Sequence, residues 1–245
     1  MIIIVLGMHR SGTSTVAGVL HMNKIVMGTY ENFWPRPLRQ NPKGFYENYD
    51  FRKINDQILK NSGYDTKSYN INLPKIRPTT KLNDRTRKIL ETYSAKYFDW
   101  GWKDPRTCLT INHWVKNIND LGMENQTRIV VVTRKASSVA RSLYKRNELP
   151  INNGLAIWGL YTEKVLSFCE KSQLPIHYCS FESLLQYPEK TCKNLFHFLN
   201  IDYEPAVISR FIDKEISTSS RGSKIKYPNQ IKKIENEIYS KIIEE

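Results

Sequence analysis

The sequence is short of cysteines and has no long apolar run. Its four cysteines are scattered, without a C-x-x-C pair and without histidines at metal-ligand spacing. The apolar run at residues 2–6 is too short for the core of a signal peptide, and no basic residue precedes it. We therefore expect neither disulfide, nor metal site, nor membrane span, and a protein of the reducing cytoplasm.

Internal repeats, low-complexity tracts and linkers are also absent, so a single domain over residues 1–245 is predicted. Acidic residues are in the minority, and the formal net charge of +13 calls for a polyanionic partner. A charged nucleotide, an acidic acceptor and nucleic acid all satisfy that requirement. The chain lacks the glycine-interleaved aromatics typical of RNA-binding domains, which makes nucleic acid the weakest of the three.

Apolar runs alternate with segments of helical spacing along the chain. Strands are predicted at residues 2–6, 24–27, 100–104, 128–133 and 176–179, and helices at 13–21, 51–60, 84–98, 107–117, 136–146, 155–171, 189–199, 205–212 and 229–243. This alternation predicts a three-layer α/β fold of the P-loop type, with a central parallel sheet of about four or five strands. Ligands of such sheets bind at the carboxyl ends of the strands.

The last predicted helix carries isoleucines 231, 234, 238 and 242 in one apolar stripe. Docking on the chain's own core is the first interpretation of this stripe, and contact with a second copy is the alternative. The expected state is accordingly a monomer or a homodimer.

A glycine-bearing turn, Gly-Met-His-Arg-Ser-Gly-Thr-Ser at residues 7–14, directly follows the first strand. Its spacing is that of the phosphate loop G-x-x-x-x-G-K-[ST], but Thr13 occupies the lysine position and the cation is Arg10. Nucleotide hydrolases use that lysine on the β- and γ-phosphates, so its loss argues against nucleoside triphosphate hydrolysis. The turn predicts a site for another 5′-phosphate, and a tight turn without a ligand is the alternative.

A second anion-binding pair is predicted at the end of the strand over residues 128–133. Arg134 follows that strand, and Ser142 lies eight residues further on in the next helix. Charge-assisted hydrogen bonds from this arginine and a hydroxyl donor suit a second phosphate. Together, the two sites indicate a nucleotide phosphorylated at two distant positions. Taken alone, the pair would read as a surface arginine and a solvent-facing serine.

At these residues the chain resembles the sulfotransferases that use 3′-phosphoadenosine 5′-phosphosulfate (PAPS), in the form carried by tyrosylprotein and bacterial carbohydrate-type enzymes. Matching segments run in the family's order over roughly residues 1–212: 7–14, 41–47, 103–105, 133–143, 180–185 and 198–201. Departures are Thr15, where the small-molecule branch has an adenine-stacking tryptophan, and the absence of that branch's histidine motif. Its Arg-Lys-Gly segment has only the weak match Ser220-Arg221-Gly222.

The resemblance implies PAPS as the sulfuryl donor, adenosine 3′,5′-bisphosphate as the product, and no metal. The implied donor-binding residues are His9, Arg10, Ser11, Gly12, Thr13, Ser14, Arg134, Ser142 and Arg221, and the implied catalytic residues are Arg10, Lys103, Glu47 and Glu31. Arg10 is expected to neutralise the bridging oxygen, and Lys103 to contact the sulfuryl oxygens. His9 is interpreted as a structural or acceptor-lining residue of the loop.

An acceptor hydroxyl also requires a general base. Glu47 is preferred because its surrounding motif matches the bacterial group, and Glu31 is the alternative at the interval of the tyrosylprotein branch. Asp104 is a third candidate, better suited to orienting Lys103 and Arg106. The bacterial-type motifs favour a carbohydrate or glycoconjugate acceptor, while peptide tyrosine, lipid-linked glycan and small alcohols stay open.

Two other functions remain as alternatives. A nucleotide or small-molecule kinase is disfavoured by Thr13 and by the lack of a Walker-B partner. A basic nucleic-acid-binding protein with a vestigial loop is the other. The aromatic residues Phe33, Trp34, Phe45, Tyr46 and Tyr49 have two interpretations, an acceptor pocket or a cluster that anchors a long loop.

Overall fold

The computed structural model describes residues 1–38, 41, 43–212 and 225–242. A four-stranded parallel sheet lies at its centre, in the order β2-β1-β3-β4. The strands are β1 (Ile2–Leu6), β2 (Trp100–Lys103), β3 (Thr127–Thr133) and β4 (Ile176–Ser180). The helices of the described residues are α1 (Thr13–Met22), α2 (Tyr49–Asn61), α3 (Thr80–Lys96), α4 (Thr107–Asp120), α5 (Ala136–Asn147), α6 (Ile151–Lys171), α7 (Phe181–Gln186), α8 (Pro188–Leu199), α9 (Pro205–Phe211) and α10 (Asn229–Ser240), with a 3-10 turn at Glu124–Gln126.

Both faces of the sheet are buried, as the apolar run of β1 shows. Ile2, Ile4 and Leu6 belong to the larger core, which also includes side chains of α2 to α6 and α10. Ile3 and Val5 point the other way, into a second core formed with α1, α8 and α9. Because neighbouring side chains of a strand alternate between faces, a strand covered on both sides needs apolar residues throughout.

The carboxyl ends of all four strands lie on one edge of the sheet. Leu6 pairs in register with Val131 of β3, and Val5 with Lys103 of β2. The segments that leave β1, β2, β3 and β4 therefore meet at this edge, which places the glycine-bearing turn beside Arg134.

One predicted strand, residues 24–27, is wrong. Only Val26 makes an isolated bridge, to Trp100. Lys24 has a φ of +70°, and the backbone N–H of Ile25 donates to the carbonyl of Leu20 at 3.1 Å. Lys24 and Ile25 close the end of α1 with a tight turn, which leaves Val26 alone to pair with β2.

The C-terminal helix begins at Asn229, as predicted, and ends at Ser240; residue 243, where the prediction ended it, lies outside the described residues. Ile231, Ile234 and Ile238 are buried in the larger core, which agrees with docking on the chain's own core. Helix α7, which the sequence did not predict, begins after Ser180, whose hydroxyl accepts a hydrogen bond from the Ser183 N–H at 2.9 Å. No helix within the described ranges has the length and apolarity of a membrane span.

Candidate active site

The turn between β1 and α1 has the geometry of an anion-binding loop. Arg10 and Gly12 adopt positive φ angles of 69° and 88°, and the Ser11 N–H donates to the Met8 carbonyl at 3.2 Å. Helix α1 begins directly after Gly12, and the first N–H groups of a helix have no partner within it. These N–H groups and the helix dipole favour an anion at this end of the sheet.

The two glycines of the turn allow it to approach β3 and α7 closely. A Cβ atom on Gly7 would lie 2.4 Å from the Val132 carbonyl oxygen, and one on Gly12 would lie 2.2 Å from Cδ2 of Phe181. The Gly7 N–H also donates to Sγ of Cys108 at 3.2 Å. The turn is therefore fixed from three sides, by β3, by α7 and by α4.

The two predicted phosphate sites are joined by direct contacts. Nε of Arg10 donates to the hydroxyl of Ser142 at 2.8 Å, and Nη1 of Arg134 donates to the Arg10 carbonyl at 3.1 Å. The Arg134 guanidinium stacks on the Phe181 ring at 4.7 Å, and its carbonyl accepts from the Trp158 indole at 3.1 Å. Hydrogen bonds thus link Arg10 to both Ser142 and Arg134, and the three residues form one connected group of polar side chains.

The two arginines of this group concentrate positive charge. Burial, and then the positive charges of Arg146 and Arg134, lower the pKa of the Arg10 guanidinium to about 10. Burial also lowers the pKa of Arg134. A lowered arginine pKa means that the charged form is penalised where it stands, so a bound anion would relieve that penalty.

Lys103 and Glu47 form a buried ion pair beside the loop. Their Nζ and Oε1 atoms are 2.9 Å apart, and the residues are only 1% and 6% exposed. The same ammonium donates to the hydroxyl of Ser14 at 3.3 Å. The Lys103 ammonium therefore lies between the Glu47 carboxylate and Ser14 of the turn.

A second group of charged residues, centred on Arg106, lies next to this ion pair. Nη1 of Arg106 lies 2.8 Å from Oδ1 of Asp104 and 3.9 Å from Oε2 of Glu47, and its Nε lies 2.7 Å from Oδ1 of Asp56. The Asn55 amide donates to Oδ2 of Asp104 at 2.9 Å. Although burial opposes ionisation, Arg106 and Asn55 hold the pKa of Asp104 below its usual value. Asp104 is therefore engaged with Arg106 and Asn55.

The remaining candidates lie in different surroundings. His9 contacts the Tyr161 ring edge-on at 6.0 Å, and burial, followed by the charge of Arg106, lowers its pKa to about 3. Glu31 is exposed, and its own backbone N–H and the Thr29 side chain lower its pKa. The structure does not bring Glu31 together with the Lys103–Glu47 pair. Arg221 lies outside the described residues.

Sequence reasoning missed two contributors to this site, Phe181 and Cys108, and named Arg106 only as a partner of Asp104. Phe181 is the first residue after β4 and supports both Gly12 and Arg134, so its place at the carboxyl edge of the sheet was the available signal. Cys108 and Arg106 follow β2 at the same edge. In the parts of the chain that the structure describes, no three metal-ligating His, Cys, Asp or Glu side chains are grouped around a common point.

The fold and the site define an α/β protein with a parallel sheet covered on both faces and an arginine-lined candidate site for an anion at the carboxyl ends of its strands. Similar solved structures narrow this class. The sulfotransferase domain from the Synechococcus PCC 7002 olefin synthase has a TM-score of 0.62 at 15% identity, covering 97% of this chain and 94% of that chain. The sulfotransferase domain from the curacin biosynthetic pathway has a TM-score of 0.59 at 13% identity, covering 98% of each chain.

Sulfotransferase STF9 from Mycobacterium avium is a third similar structure, with a TM-score of 0.52 at 12% identity over 85% of this chain and 66% of that chain. No protein-family model and no curated protein matches the sequence, so the likeness is carried by structure. The chain has the sulfotransferase fold, and both the predicted fold class and the predicted resemblance are confirmed at this level.

Proposed function

We propose that the protein is a PAPS-dependent sulfotransferase that moves a sulfuryl group to an acceptor hydroxyl. The observation that carries this proposal is the contact between Arg10 and Ser142, with Arg134 bonded to the same residue of the loop. A nucleotide phosphorylated at two distant positions needs two anion sites within reach of one molecule, and these contacts between the two motifs support that arrangement. The sulfotransferase fold supports the same conclusion.

In the proposed complex, the N–H groups of residues 11–14 and the side chains of Thr13 and Ser14 hold the 5′-phosphate. Arg134 and Ser142 hold the 3′-phosphate. His9, neutral in its native surroundings, lines the loop. The third contact to the 3′-phosphate is assigned to Arg221 by resemblance alone.

Sulfuryl transfer is an in-line displacement with a loose transition state, catalysed mainly by positioning and electrostatics. The acceptor oxygen forms a bond to sulfur while the bond from sulfur to the 5′-phosphate oxygen breaks. Charge builds on that leaving oxygen, where Arg10 neutralises it. Lys103 is proposed to stabilise the sulfuryl oxygens, and its contact with Ser14 of the turn supports this role.

Glu47 is proposed as the general base that takes the proton of the acceptor hydroxyl. The carboxylate is buried and lies 2.9 Å from the Lys103 ammonium, which also contacts Ser14 of the turn. General-base assistance typically contributes about 10²- to 10⁴-fold in rate. Glu31, exposed at the surface, is the second candidate and would have to approach the loop to act.

The proposed acceptor is a hydroxyl on a carbohydrate or glycoconjugate, and the proposed compartment is the cytoplasm. The acceptor follows from the resemblance of the segment that carries Glu47 to bacterial carbohydrate-type enzymes. The proposed reaction involves no metal ion.

Isothermal calorimetry tests the donor assignment. Adenosine 3′,5′-bisphosphate is expected to bind far more tightly than AMP or ATP. Arg134→Ala is expected to weaken bisphosphate binding and leave AMP binding nearly unchanged, because AMP has no 3′-phosphate. Equal affinity for all three nucleotides would refute the donor, and tighter binding of ATP would favour the kinase alternative.

Glu47→Gln tests the base. This variant is expected to keep bisphosphate affinity and lose turnover of labelled donor with an acceptor extract. Full activity would transfer the role to Glu31, which Glu31→Gln then checks. Salt-sensitive binding of RNA or DNA without bisphosphate affinity would instead favour the nucleic-acid-binding alternative.

A further inference from the structure

The segment at residues 30–49, which includes Glu47, also displays exposed aromatic side chains among its described residues. Trp34 is 51% exposed, whereas the other four tryptophans are each at most 1% exposed. Tyr30, Leu38 and Tyr49 are also large exposed apolar side chains of the same segment. Phe33 and Tyr46, by contrast, pack against each other at 5.3 Å and against His21. The aromatic residues of this segment thus divide into an internal cluster and an outward-facing group.

The backbone pairing shows on which side Trp34 lies. Phe33 and Asn48 are directly opposite each other in an antiparallel bridge, and a Cβ atom on Gly28 would touch both side chains. Trp34 and Glu47 are the next pair, joined by a hydrogen bond from the Trp34 N–H to the Glu47 carbonyl at 2.9 Å. Because side chains alternate along a strand, the Trp34 indole and the Glu47 carboxylate leave the pairing together, on the face opposite Gly28.

Two arginines lie near Trp34, one at its backbone carbonyl and one on the ring of Tyr30 in the same segment. Nη1 of Arg52 donates to the Trp34 carbonyl at 3.4 Å, and the Arg36 guanidinium lies 4.3 Å from the Tyr30 ring centroid. Arg52 also pairs with Asp56 at 3.6 Å, and Asp56 in turn pairs with Arg106 beside Glu47. Polar contacts through Arg52, Asp56 and Arg106 therefore connect the backbone carbonyl of Trp34 with the Glu47 carboxylate.

We infer that Trp34 is the stacking platform for the acceptor, and that the acceptor is a sugar chain bearing carboxylate or sulfate groups. This inference rests on the proposed function and names its acceptor class. The apolar face of a pyranose ring lies on the indole, while anionic substituents at the ring edge are held by Arg36 and Arg52. The indole is open to solvent at the surface, which suits a sugar unit lying flat on it.

The isolated exposure of Trp34 provides a direct binding assay. Acrylamide quenches exposed indoles, and the four other tryptophans are buried, so quenching reports on Trp34. The protein, saturated with adenosine 3′,5′-bisphosphate, is titrated with a chondroitin tetrasaccharide, with neutral chitotetraose and with an acidic tyrosine-containing peptide. The uronate tetrasaccharide is expected to protect Trp34 at a concentration at least about 10-fold lower than the neutral one. No protection by the uronate sugar, or protection by the peptide alone, would overturn the inference.

Three variants complete the test by calorimetry with the same ligands. Trp34→Ala is expected to weaken binding of the uronate tetrasaccharide by about 10-fold or more. Phe98→Ala is the matched control, because Phe98 is 90% exposed and precedes β2 at the opposite edge of the sheet. Arg36→Gln is expected to weaken binding of the uronate tetrasaccharide and to leave the affinity for chitotetraose unchanged. An unchanged affinity in Trp34→Ala would refute the platform.

Bisphosphate affinity, measured in the same samples, separates this inference from the proposed function. If the bisphosphate binds and the uronate sugar does not, the acceptor class is wrong and the sulfotransferase proposal stands. If the bisphosphate itself does not bind, the proposed function fails.

Discussion

Nε of Arg10 donates a hydrogen bond to the hydroxyl of Ser142, 132 residues further along the chain, at 2.8 Å. The two residues belong to different sequence motifs, one after β1 and the other in α5. Their contact depends on the pairing of β1 with β3, which sets both motifs at the same edge of the sheet. The hydroxyl accepts from Arg10, so its own proton is free to point towards an anion.

Ser142→Ala is therefore expected to weaken adenosine 3′,5′-bisphosphate binding by about 10-fold or more, because the half-buried Arg10 loses its acceptor and the phosphate loses a donor. AMP affinity should change much less. Calorimetry with both nucleotides measures the difference. Ser167→Ala, at an exposed position of α6, is the control. Equal losses for the two nucleotides would show that Ser142 does not contact the 3′-phosphate.

The elements of the sheet were predictable because burial on both faces leaves a simple pattern. The apolar run at residues 128–133 falls within one residue of β3 at Thr127–Thr133. The four-residue stretch at 24–27 has the same composition as a short strand. Hydrogen bonds to the end of α1 set its conformation, and these bonds cannot be predicted from the composition of the stretch.

The sequence named candidate site residues one by one, but it did not predict the contacts among them. Lys103 and Glu47 were assigned separate roles, and nothing in periodicity relates residues 56 positions apart on a strand and a loop. The contribution of Phe181 was missed for a similar reason. An aromatic residue after a strand is ordinarily interpreted as part of the core. Only the packing shows that Phe181 lies between Gly12 and Arg134.

Acidification should destabilise the protein through histidines that are neutral in the native state. The pKa of His9 is lowered from 6.5 to about 3, chiefly by burial, and that of His113 to about 4 by burial and then by Lys116. The unfolded chain takes up these protons first, so the stabilisation is complete above about pH 6.5 and is lost as pH falls towards the native values. Each histidine contributes up to about 1.4 kcal/mol per pH unit to this slope.

Urea unfolding between pH 7 and pH 4.5 measures the effect. His113→Gln is expected to reduce the change of unfolding free energy with pH by the contribution of one proton. This reduction does not depend on how the substitution affects stability at pH 7. A slope identical to that of the unmodified protein would contradict the neutral native histidine. His9→Gln should leave the pH profile of turnover between pH 5.5 and 8 unchanged, since an imidazole with a pKa of about 3 does not titrate there.

The C-terminal helix should support the donor site through Glu235. Its Oε1 accepts from the Ala136 N–H at 2.7 Å, and the Tyr227 hydroxyl, 3.3 Å away, accepts from the Ser137 N–H at 3.0 Å. These groups cap α5 directly after Arg134. Glu235→Ala should therefore lower the free energy of unfolding by about 0.5–2 kcal/mol and weaken bisphosphate binding.

Glu237→Ala, on the exposed face of the same helix, is the matched control for that change. Thermal unfolding and calorimetry provide the two readouts. Rescue by Glu235→Gln should be partial, because the amide oxygen still accepts a hydrogen bond but carries no charge. Unaltered stability and affinity in Glu235→Ala would mean that the cap has no part in positioning Arg134.

Replacing Gly12 should damage the loop for two separable reasons. The φ of 88° is strained for any residue with a Cβ atom, at about 1–3 kcal/mol, and that atom would lie 2.2 Å from Phe181. Gly63→Ala is the control, because Gly63 has a φ of 77° and no atom within 4 Å of the added Cβ. Both variants should lose stability in urea unfolding, but only Gly12→Ala should also lose bisphosphate affinity, by about 10-fold or more. If Gly12→Ala binds the bisphosphate normally, the turn between β1 and α1 does not hold the 5′-phosphate.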